Sequence, residues 1–417
     1  MYELRLIWRA SRGGMRFLIA YIAVAVFLLA EGMPHKVEVA MTYNYMVAVC
    51  SDGPYIYIVD LGDKTVLHVV NLTSLSTSRV YIDDYVADCV ADGGRVLLFS
   101  RKYVTIYDAV ANRLTRLEYN NSNIDYPSYK YAGKLGDKVL IVRYINGRGY
   151  LEVRRLSDFA LLEVLSGEPL GSIEESPHGV VVYMGRSTAL LFCGTDMEKI
   201  EVGPYTRVVC LGDGVLLYNS TSLVKMPRGR GTAVAKSVEG VEQVFVDGDY
   251  VYVVRRRGLS VAEVLVFDGE LRQLGRFNIV SYRWLDVHIH RFRTDKLAIV
   301  TWGEFGGRKA IIHIVDLRNA ATSSLTICIY SLSLRLKYVA VDRALVAMVN
   351  YPGCVTVDNL LAGTYLVETY IDGYPHHSEV KALQPGGANL VVFYDDHILY
   401  LAMAVAAAAA FYIKRRT

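Results

Sequence analysis

Residues 45–61 read YMVAVCSDGPYIYIVDL. Two short runs rich in valine, isoleucine and tyrosine, Tyr45–Cys50 and Tyr55–Leu61, flank the turn residues Ser51-Asp52-Gly53-Pro54. β-Branched and aromatic residues bounded in this way describe a β-hairpin. The same unit recurs down the chain. Arg95–Phe99 is expected to pair with Val104–Asp108, Val139–Arg143 with Tyr150–Arg154, Val180–Met184 with Thr188–Phe192, and Val215–Tyr218 with Ser222–Met226. Tyr250–Val254 follows with Val261–Asp268, Leu297–Thr301 with Ala310–Asp316, and Leu345–Val349 with Cys354–Asp358, while Leu390–Tyr394 begins a ninth unit.

The first strands begin at 45, 95, 139, 180, 215, 250, 297, 345 and 390, a spacing of 35 to 50 residues. That is the period of a four-stranded propeller blade. Turns such as Asp92-Gly93-Gly94, Gly212-Asp213-Gly214 and Asp247-Gly248-Asp249 precede first strands, and Asp60, Asp108, Asp268, Asp316 and Asp358 close second strands. A single blade cannot bury both its faces, whereas blades stacked in a ring bury one another and leave only short edges. The expected fold is therefore all-β: a β-propeller of about eight four-stranded blades, within a range of seven to nine, with apolar segments at both termini. A β-sandwich would not need a repeat sustained over so much of the chain.

The repeats resemble the YVTN and quinoprotein-like propeller repeats, in which a strand of the type "vyVvDl" closes each central hairpin. Tyr55–Leu61 (YIYIVDL) and Ile311–Leu317 (IIHIVDL) carry the resemblance. WD-repeat proteins are less similar, since the Trp-Asp dipeptide is absent. Quinoprotein dehydrogenases carry a tryptophan in most blades; this chain has Trp8, Trp284 and Trp302 alone, which speaks against bound pyrroloquinoline quinone. The resemblance implies a fold and no particular activity.

The two ends carry the topology. Phe17–Ala30 is an unbroken apolar run preceded by Arg5, Arg9, Arg12 and Arg16 and followed by Ala30-Glu31-Gly32. Basic, apolar and small residues in that order describe a secretory signal over residues 1–32, with an uncleaved N-terminal anchor as the alternative. A pilin-type cut after Gly14 would leave Arg16 inside the new N-terminus. Ile398–Ile413 is apolar and is followed by Lys414-Arg415-Arg416. Residues 397–417 are expected to form a transmembrane helix with a basic cytoplasmic tail, and residues 33–396 the propeller. Positive charge at both ends favours the cytoplasmic side and places the intervening domain outside. The C-terminal run has 16 residues, a short span, and its alternative is a terminal strand plus a buried helix.

Composition removes several classes. Basic and acidic residues nearly balance, 45 against 42, so nucleic acid is not the expected partner. The basic run Arg255-Arg256-Arg257 reads as a solvated hairpin end. Tyrosine is abundant, at 31 residues, and glutamine is confined to Gln243, Gln273 and Gln384. Scarcity of thermolabile amides is a trait of hyperthermophile proteins, and the source expected on that basis is a hyperthermophilic archaeon. Cys50, Cys89, Cys193, Cys210, Cys328 and Cys354 form no CxxC pair, which removes the common zinc and thioredoxin-like readings. Outside the cytoplasm an even count permits three disulfides, with nearest neighbours giving Cys50–Cys89, Cys193–Cys210 and Cys328–Cys354; buried free thiols are the alternative.

Few residues suggest chemistry. In Ser281–Arg293 (SYRWLDVHIHRFR), Asp286, His288 and His290 share one strand face and could ligate zinc, iron or copper. Trp284 on the same face, with Trp302 and Phe305 in a glycine-rich hairpin, are candidate contacts for a protein or glycan partner. Asp83, Asp84, Asp88 and Asp92 could offer calcium oxygens, but turn acids are the simpler reading. Gly258-Leu-Ser260-Val-Ala262 leads into a strand and is no nucleophile elbow. Asn71, Asn120 and Asn219 lie in glycosylation sequons. The leading functional expectation is a cell-surface binding or scaffolding module with an extracytoplasmic protein or glycan partner. A structural component of the envelope or surface layer, and a metal- or cofactor-dependent enzyme using the central channel, are the alternatives.

Overall fold

The computed structural model describes residues 35–42, 45–62, 64–119, 131–145, 148–166, 170–185, 187–194, 197–203, 206–228, 231–282, 287–303, 308–316, 322–331, 336–349, 352–371, 374–394 and 403–409. Strand β1 (His35–Ala40) comes first. Blade 1 is β2 (Tyr45–Asp52), β3 (Tyr55–Leu61), β4 (Thr65–Asn71) and β5 (Ser76–Ile82). Blade 2 is β6 (Val86–Asp92), β7 (Arg95–Ser100), β8 (Tyr103–Asp108) and β9 (Arg113–Glu118). Blade 3 is β10 (Ala132–Leu135), β11 (Lys138–Ile145), β12 (Arg148–Arg155) and β13 (Leu161–Ser166). Blade 4 is β14 (Leu170–Ser176), β15 (Gly179–Met184), β16 (Thr188–Cys193) and β17 (Glu198–Glu201). Blade 5 is β18 (Arg207–Leu211), β19 (Gly214–Tyr218), β20 (Ser222–Pro227) and β21 (Val234–Ser237). Blade 6 is β22 (Val241–Asp247), β23 (Tyr250–Arg256), β24 (Val261–Asp268) and β25 (Gln273–Val280).

Among the described residues blade 7 has three strands of its own, β26 (His288–Arg293), β27 (Lys296–Gly303) and β28 (Lys309–Asp316). Its outermost strand is β1, which runs antiparallel to β28 with His35 opposite Ile314 and Ala40 opposite Lys309. The N-terminal strand thus supplies the missing fourth strand of blade 7 and knits the beginning of the ring to its end. The first strand of each blade is innermost, and each lies beside the first strand of the next blade, with β26 returning to β2.

The all-β propeller is as the repeat predicts. Seven blades lie on the ring, inside the expected range of seven to nine. The second strands start at 55, 95, 138, 179, 214, 250 and 296, so the true period runs from 35 to 46 residues. The hairpin at 45–61 is one strand out of phase with its later counterparts, because it joins the first and second strands of its blade rather than the second and third. Second strands are buried on both faces: Ile56, Tyr57, Ile58 and Val59 are all fully buried. Neighbouring blades cover each side, so such strands lose the polar alternation of a half-wet sheet. Each aliphatic side chain buried in this way contributes roughly 1.5–3 kcal/mol.

Seven more strands follow the ring: β29 (Thr322–Tyr330), β30 (Lys337–Val341), β31 (Ala344–Val349), β32 (Gly353–Leu361), β33 (Gly363–Ile371), β34 (Tyr374–Leu383) and β35 (Ala388–Tyr394). They build a β-sandwich in which β32-β29-β35 faces β31-β30-β33-β34. Leu325, Ile327, Val357 and Val391 from one sheet pack with Val339, Val341, Tyr365 and Val367 from the other. The hairpin expected from Leu345–Val349 and Cys354–Asp358 does not form. β31 pairs with β30 while β32 pairs with β29, because the chain crosses from one sheet to the other between them. Leu390–Tyr394, expected to begin a ninth unit, instead joins β29 in parallel.

The sandwich hangs on the outside of blades 6 and 7. A parallel bridge between Asn278 and Leu360 continues the blade 6 sheet into β32. On blade 7, Lys36 Nζ meets Asp342 Oδ2 at 2.5 Å. Gly303 lets the two bodies approach closely: a Cβ there would lie 2.6 Å from the Asp342 carbonyl oxygen. Met403–Ala409 is a short helix, exposed on every residue, and the rest of 397–417 lies outside the described residues. Among the described residues no helix is long and apolar enough to cross a membrane.

Candidate functional site

Antiparallel strands alternate direction, so each blade presents two kinds of end. The turns joining first to second and third to fourth strands lie on one side of the ring, the turn side. The turns joining second to third strands, and the connections from blade to blade, lie on the other, the connection side.

On the turn side, polar groups at the ends of the innermost strands ring the channel mouth and link blade to blade. At the seam between blades 7 and 1, Ser51 Oγ and His288 Nε2 are 2.8 Å apart, and His290 Nε2 donates to the Gly53 carbonyl at 2.8 Å. Asp52 accepts from Gly93 N of the next blade at 3.0 Å. At the opposite ends of the innermost strands, toward the connection side, the buried Asp88 near the start of β6 accepts from Tyr131 N and Ala132 N at the start of β10, at 2.6 and 3.0 Å. Back on the turn side, Lys134 N donates to Glu175 Oε1 at 3.1 Å, linking blades 3 and 4. Arg291 N donates to Asp247 Oδ2 at 2.7 Å, linking blades 6 and 7. His178 Nε2 donates to the Gly248 carbonyl at 2.8 Å, from blade 4 to blade 6. The local cause is the turn chemistry. At Gly53, φ is +53°, which suits a residue without Cβ and brings the carbonyl to face His290.

The Lys134 ammonium sits between two carboxylates, bonded to Asp52 and 2.9 Å from Asp92 Oδ1. Burial acts to lower its pKa, but the bonds to Asp52 and Asp92 outweigh that and hold it above the ordinary lysine value. The protein therefore carries its own cation where two acids approach. Asp247 is pushed up by burial, against the opposing pull of Arg291 N and the neighbouring His290, Arg291 and His178. This girdle can fix the mutual angle of the blades and gives the mouth a set pattern of charge.

The sequence candidates scatter over the molecule. His288 and His290 stand on β26 at the ring seam, engaged with Ser51 and Gly53; Asp286 lies outside the described residues. Among the described residues no three His, Cys, Asp or Glu side chains are grouped to hold a metal. Trp302 is buried with Val37, Val39 and Ile56, so its ring is core and offers no contact surface. Trp284, Phe305 and Asn120 lie outside the described residues. The acidic stretch splits: Asp83 pairs with Lys64 at 2.9 Å, Asp84 accepts from Ser100 Oγ at 2.5 Å, Asp88 holds blade 3 and Asp92 holds Lys134. Asn71 caps its own turn through Thr73 N and Ser74 N, and Asn219 through Thr221 N and Ser222 N.

All six cysteines are bonded, as Cys50–Cys89, Cys193–Cys210 and Cys328–Cys354. The first joins blades 1 and 2 and the second joins blades 4 and 5, while the third ties β29 to β32 across facing positions. The run Arg255–Arg257 is more than a solvated end. Arg255 and Arg257 both donate to the buried Glu263, the latter at 3.0 Å. Sequence reading missed Lys134, Glu175 and the Lys36–Asp342 pair, since their partners stand 41 to 306 residues away.

Similarity to known proteins is confined to the fold. No protein-family model matches the chain, and no curated protein matches it. Among solved structures, BamB from Moraxella catarrhalis is similar over 65% of this chain and 86% of its own, at 13% identity and a TM-score of 0.43. The WD40 domain of Neurospora crassa Pan2 is similar over 68% of this chain and 95% of its own, at 9% identity and a TM-score of 0.49. The extracellular domain of BT4673 from B. thetaiotaomicron is similar over 82% of this chain and 56% of its own, at 9% identity and a TM-score of 0.43.

Proposed function

We propose that this chain is a membrane-tethered propeller, held outside the cytoplasm, that serves as a binding platform for a protein partner. The observation that carries the binding reading is the outer edge of blade 3. There β13 (LLEVLS) exposes Leu161, Leu162 and Val164 at 49%, 42% and 45%. Glu163 is the one charge among them, whereas the outer strands of other blades expose large apolar residues singly, as at Tyr81, Leu114 and Leu274, beside Arg79, Arg113, Arg116 and Arg276. Charge on an edge strand blunts pairing with foreign strands, and an apolar edge invites it. The reading of location is supported by the exposed apolar helix Met403–Ala409 and by the basic residues that follow the C-terminal apolar run and precede the N-terminal one.

A photo-crosslinking residue at Leu162, in cells producing the full chain, tests the binding reading. One discrete adduct is expected, lost when Leu161→Lys and Val164→Lys are added on the same edge. An adduct indifferent to those substitutions, or none, would refute it. Impermeant amine labelling of intact cells tests location through the exposed Lys138 and Lys236. Labelling that appears only after lysis would overturn it.

A further inference from the structure

We infer that the turn side of the ring faces the membrane, with an aromatic end of the sandwich at headgroup level, so that the connection side is the face turned outward. The inference rests on the tethering proposed above and adds its direction. Strand polarity carries it. β25 is the fourth strand of blade 6 and runs from the turn side toward the connection side. β32 is parallel to β25 through Asn278 and Leu360, β29 is antiparallel to β32, and β35 is parallel to β29. β29 and β35 therefore both end on the turn side, at Tyr330 and Tyr394. β34 runs the other way along the sandwich and starts at that same end, with Tyr374.

The residues gathered there fit an interface. Tyr330 and Tyr394 are 43% and 52% exposed, and their rings stack at 5.6 Å. Tyr374 is 77% exposed. His377 stacks on Phe393 at 5.7 Å and lies 4.2 Å from His376. Tyrosine, with an apolar ring and a polar tip, is enriched where hydrocarbon gives way to headgroups. The tether is short as well. Three residues, Asp395, Asp396 and His397, separate Tyr394 from Ile398, where the apolar run begins, and at full extension the four steps reach about 14 Å. Beyond them, Met403–Ala409 is helical, wholly apolar and exposed throughout, with Met403 and Val405 at 62% and 61%. No protein surface covers it among the described residues, and lipid is the occupant that its composition fits.

The N-terminus leads to the same side. β28 runs from the connection side to the turn side, and β1 is antiparallel to it with His35 opposite Ile314. His35 therefore enters on the turn side, five residues after the apolar run Phe17–Ala30 ends. The C-terminal tether alone sets the side, and an uncleaved N-terminal run would add a second tether beside it. One consequence concerns sequons. Asn71 sits in a third-to-fourth-strand turn on the membrane side, and Asn219 in a second-to-third-strand turn facing away.

The test uses the full-length chain in phosphatidylcholine vesicles, with a fluorescent amino acid at Tyr394 or at Ser220 and a quencher on the lipid headgroups. Ser220 is exposed in the blade 5 turn on the connection side. Flotation with the vesicles and severalfold stronger quenching at Tyr394 than at Ser220 are expected. Flotation with equal quenching, or with stronger quenching at Ser220, overturns the orientation and leaves the tethering intact. A chain that does not float overturns both.

Discussion

The Lys36–Asp342 pair gives the sharpest energetic test of how the sandwich holds the ring closed. Lys36 lies on β1, the strand that closes the propeller, and its side chain is 15% exposed against 4% for Asp342. The ammonium is 2.5 Å from Asp342 Oδ2 and 3.8 Å from the centre of the Tyr365 ring. Asp342 Oδ1 also accepts from Leu366 N at 2.9 Å, and the residue occupies a tight turn with φ at +46°. Asp342→Asn keeps the turn geometry and the acceptor for Leu366, and removes only the charge. It leaves a buried ammonium without its counter-ion, a change that costs about 3–5 kcal/mol. Burial already lowers the lysine pKa, so loss of its proton offers relief and places the cost near the lower end, roughly 3 kcal/mol. Lys36→Met strands the carboxylate, whose pKa burial already raises, and is expected to cost a similar amount. The double variant should return to within about 1 kcal/mol of the parent, because the lost attraction is offset by desolvation no longer incurred. Urea unfolding of the full chain in detergent, arranged as a double-mutant cycle, reads all three values. Single variants within about 0.5 kcal/mol of the parent, or a double variant equal to the sum of the singles, would refute the reasoning.

Other outcomes follow from the same contacts. Cys50→Ser with Cys89→Ser opens a 39-residue loop and should lower stability by about 4 kcal/mol, against about 3 kcal/mol for the 17-residue loop of Cys193 and Cys210. Denaturation of the two variants checks the order, and a reversed order would contradict the loop argument. Gly303→Ala drives a Cβ toward the Asp342 carbonyl and Arg343 Cβ, and should cost about 1–3 kcal/mol. Hydrogen exchange should rise first across 322–394; a rise confined to blade 7 would mean that the sandwich does not dock through this contact. Burial opposes ionisation of Glu263, but Arg255 and Arg257 outweigh it and hold its pKa below the ordinary glutamate value. A depressed folded-state pKa gives stability that is present above the unfolded value and is lost as pH falls through the folded one. Melting temperature should therefore drop between about pH 5 and pH 3 more steeply for the parent than for Glu263→Gln. Parallel curves would remove Glu263 from the acid transition.

Much of the ring was legible because a blade repeats itself. Hairpins such as Tyr250–Val254 with Val261–Asp268 are local, and each is marked by its own turn residues, so periodicity and turn chemistry located the strands. The polar links between blades were less legible. Asp88 could be read as a turn acid, but its acceptance of Tyr131 N and Ala132 N depends on how one blade abuts the next. The histidines of β26 carry a pattern that suits metal, and the fold engages both at the seam with Ser51 and Gly53.

The sequence by itself determined the all-β character and the hairpin pairings of the seven blades, and left the cysteines open between nearest-neighbour disulfides and free thiols. Those rest on interactions between residues close along the chain, or on a repeated composition. Only the tertiary structure decided that β1 completes blade 7, that β29 to β35 leave the ring to form a sandwich, and that His35 and Tyr394 lie on the same side. Strands of identical composition are interchangeable partners in sequence. The choice among them was settled by closure, because seven innermost strands complete the ring, β1 supplies the fourth strand that blade 7 lacks, and β29 to β35 are left to pack on one another outside it.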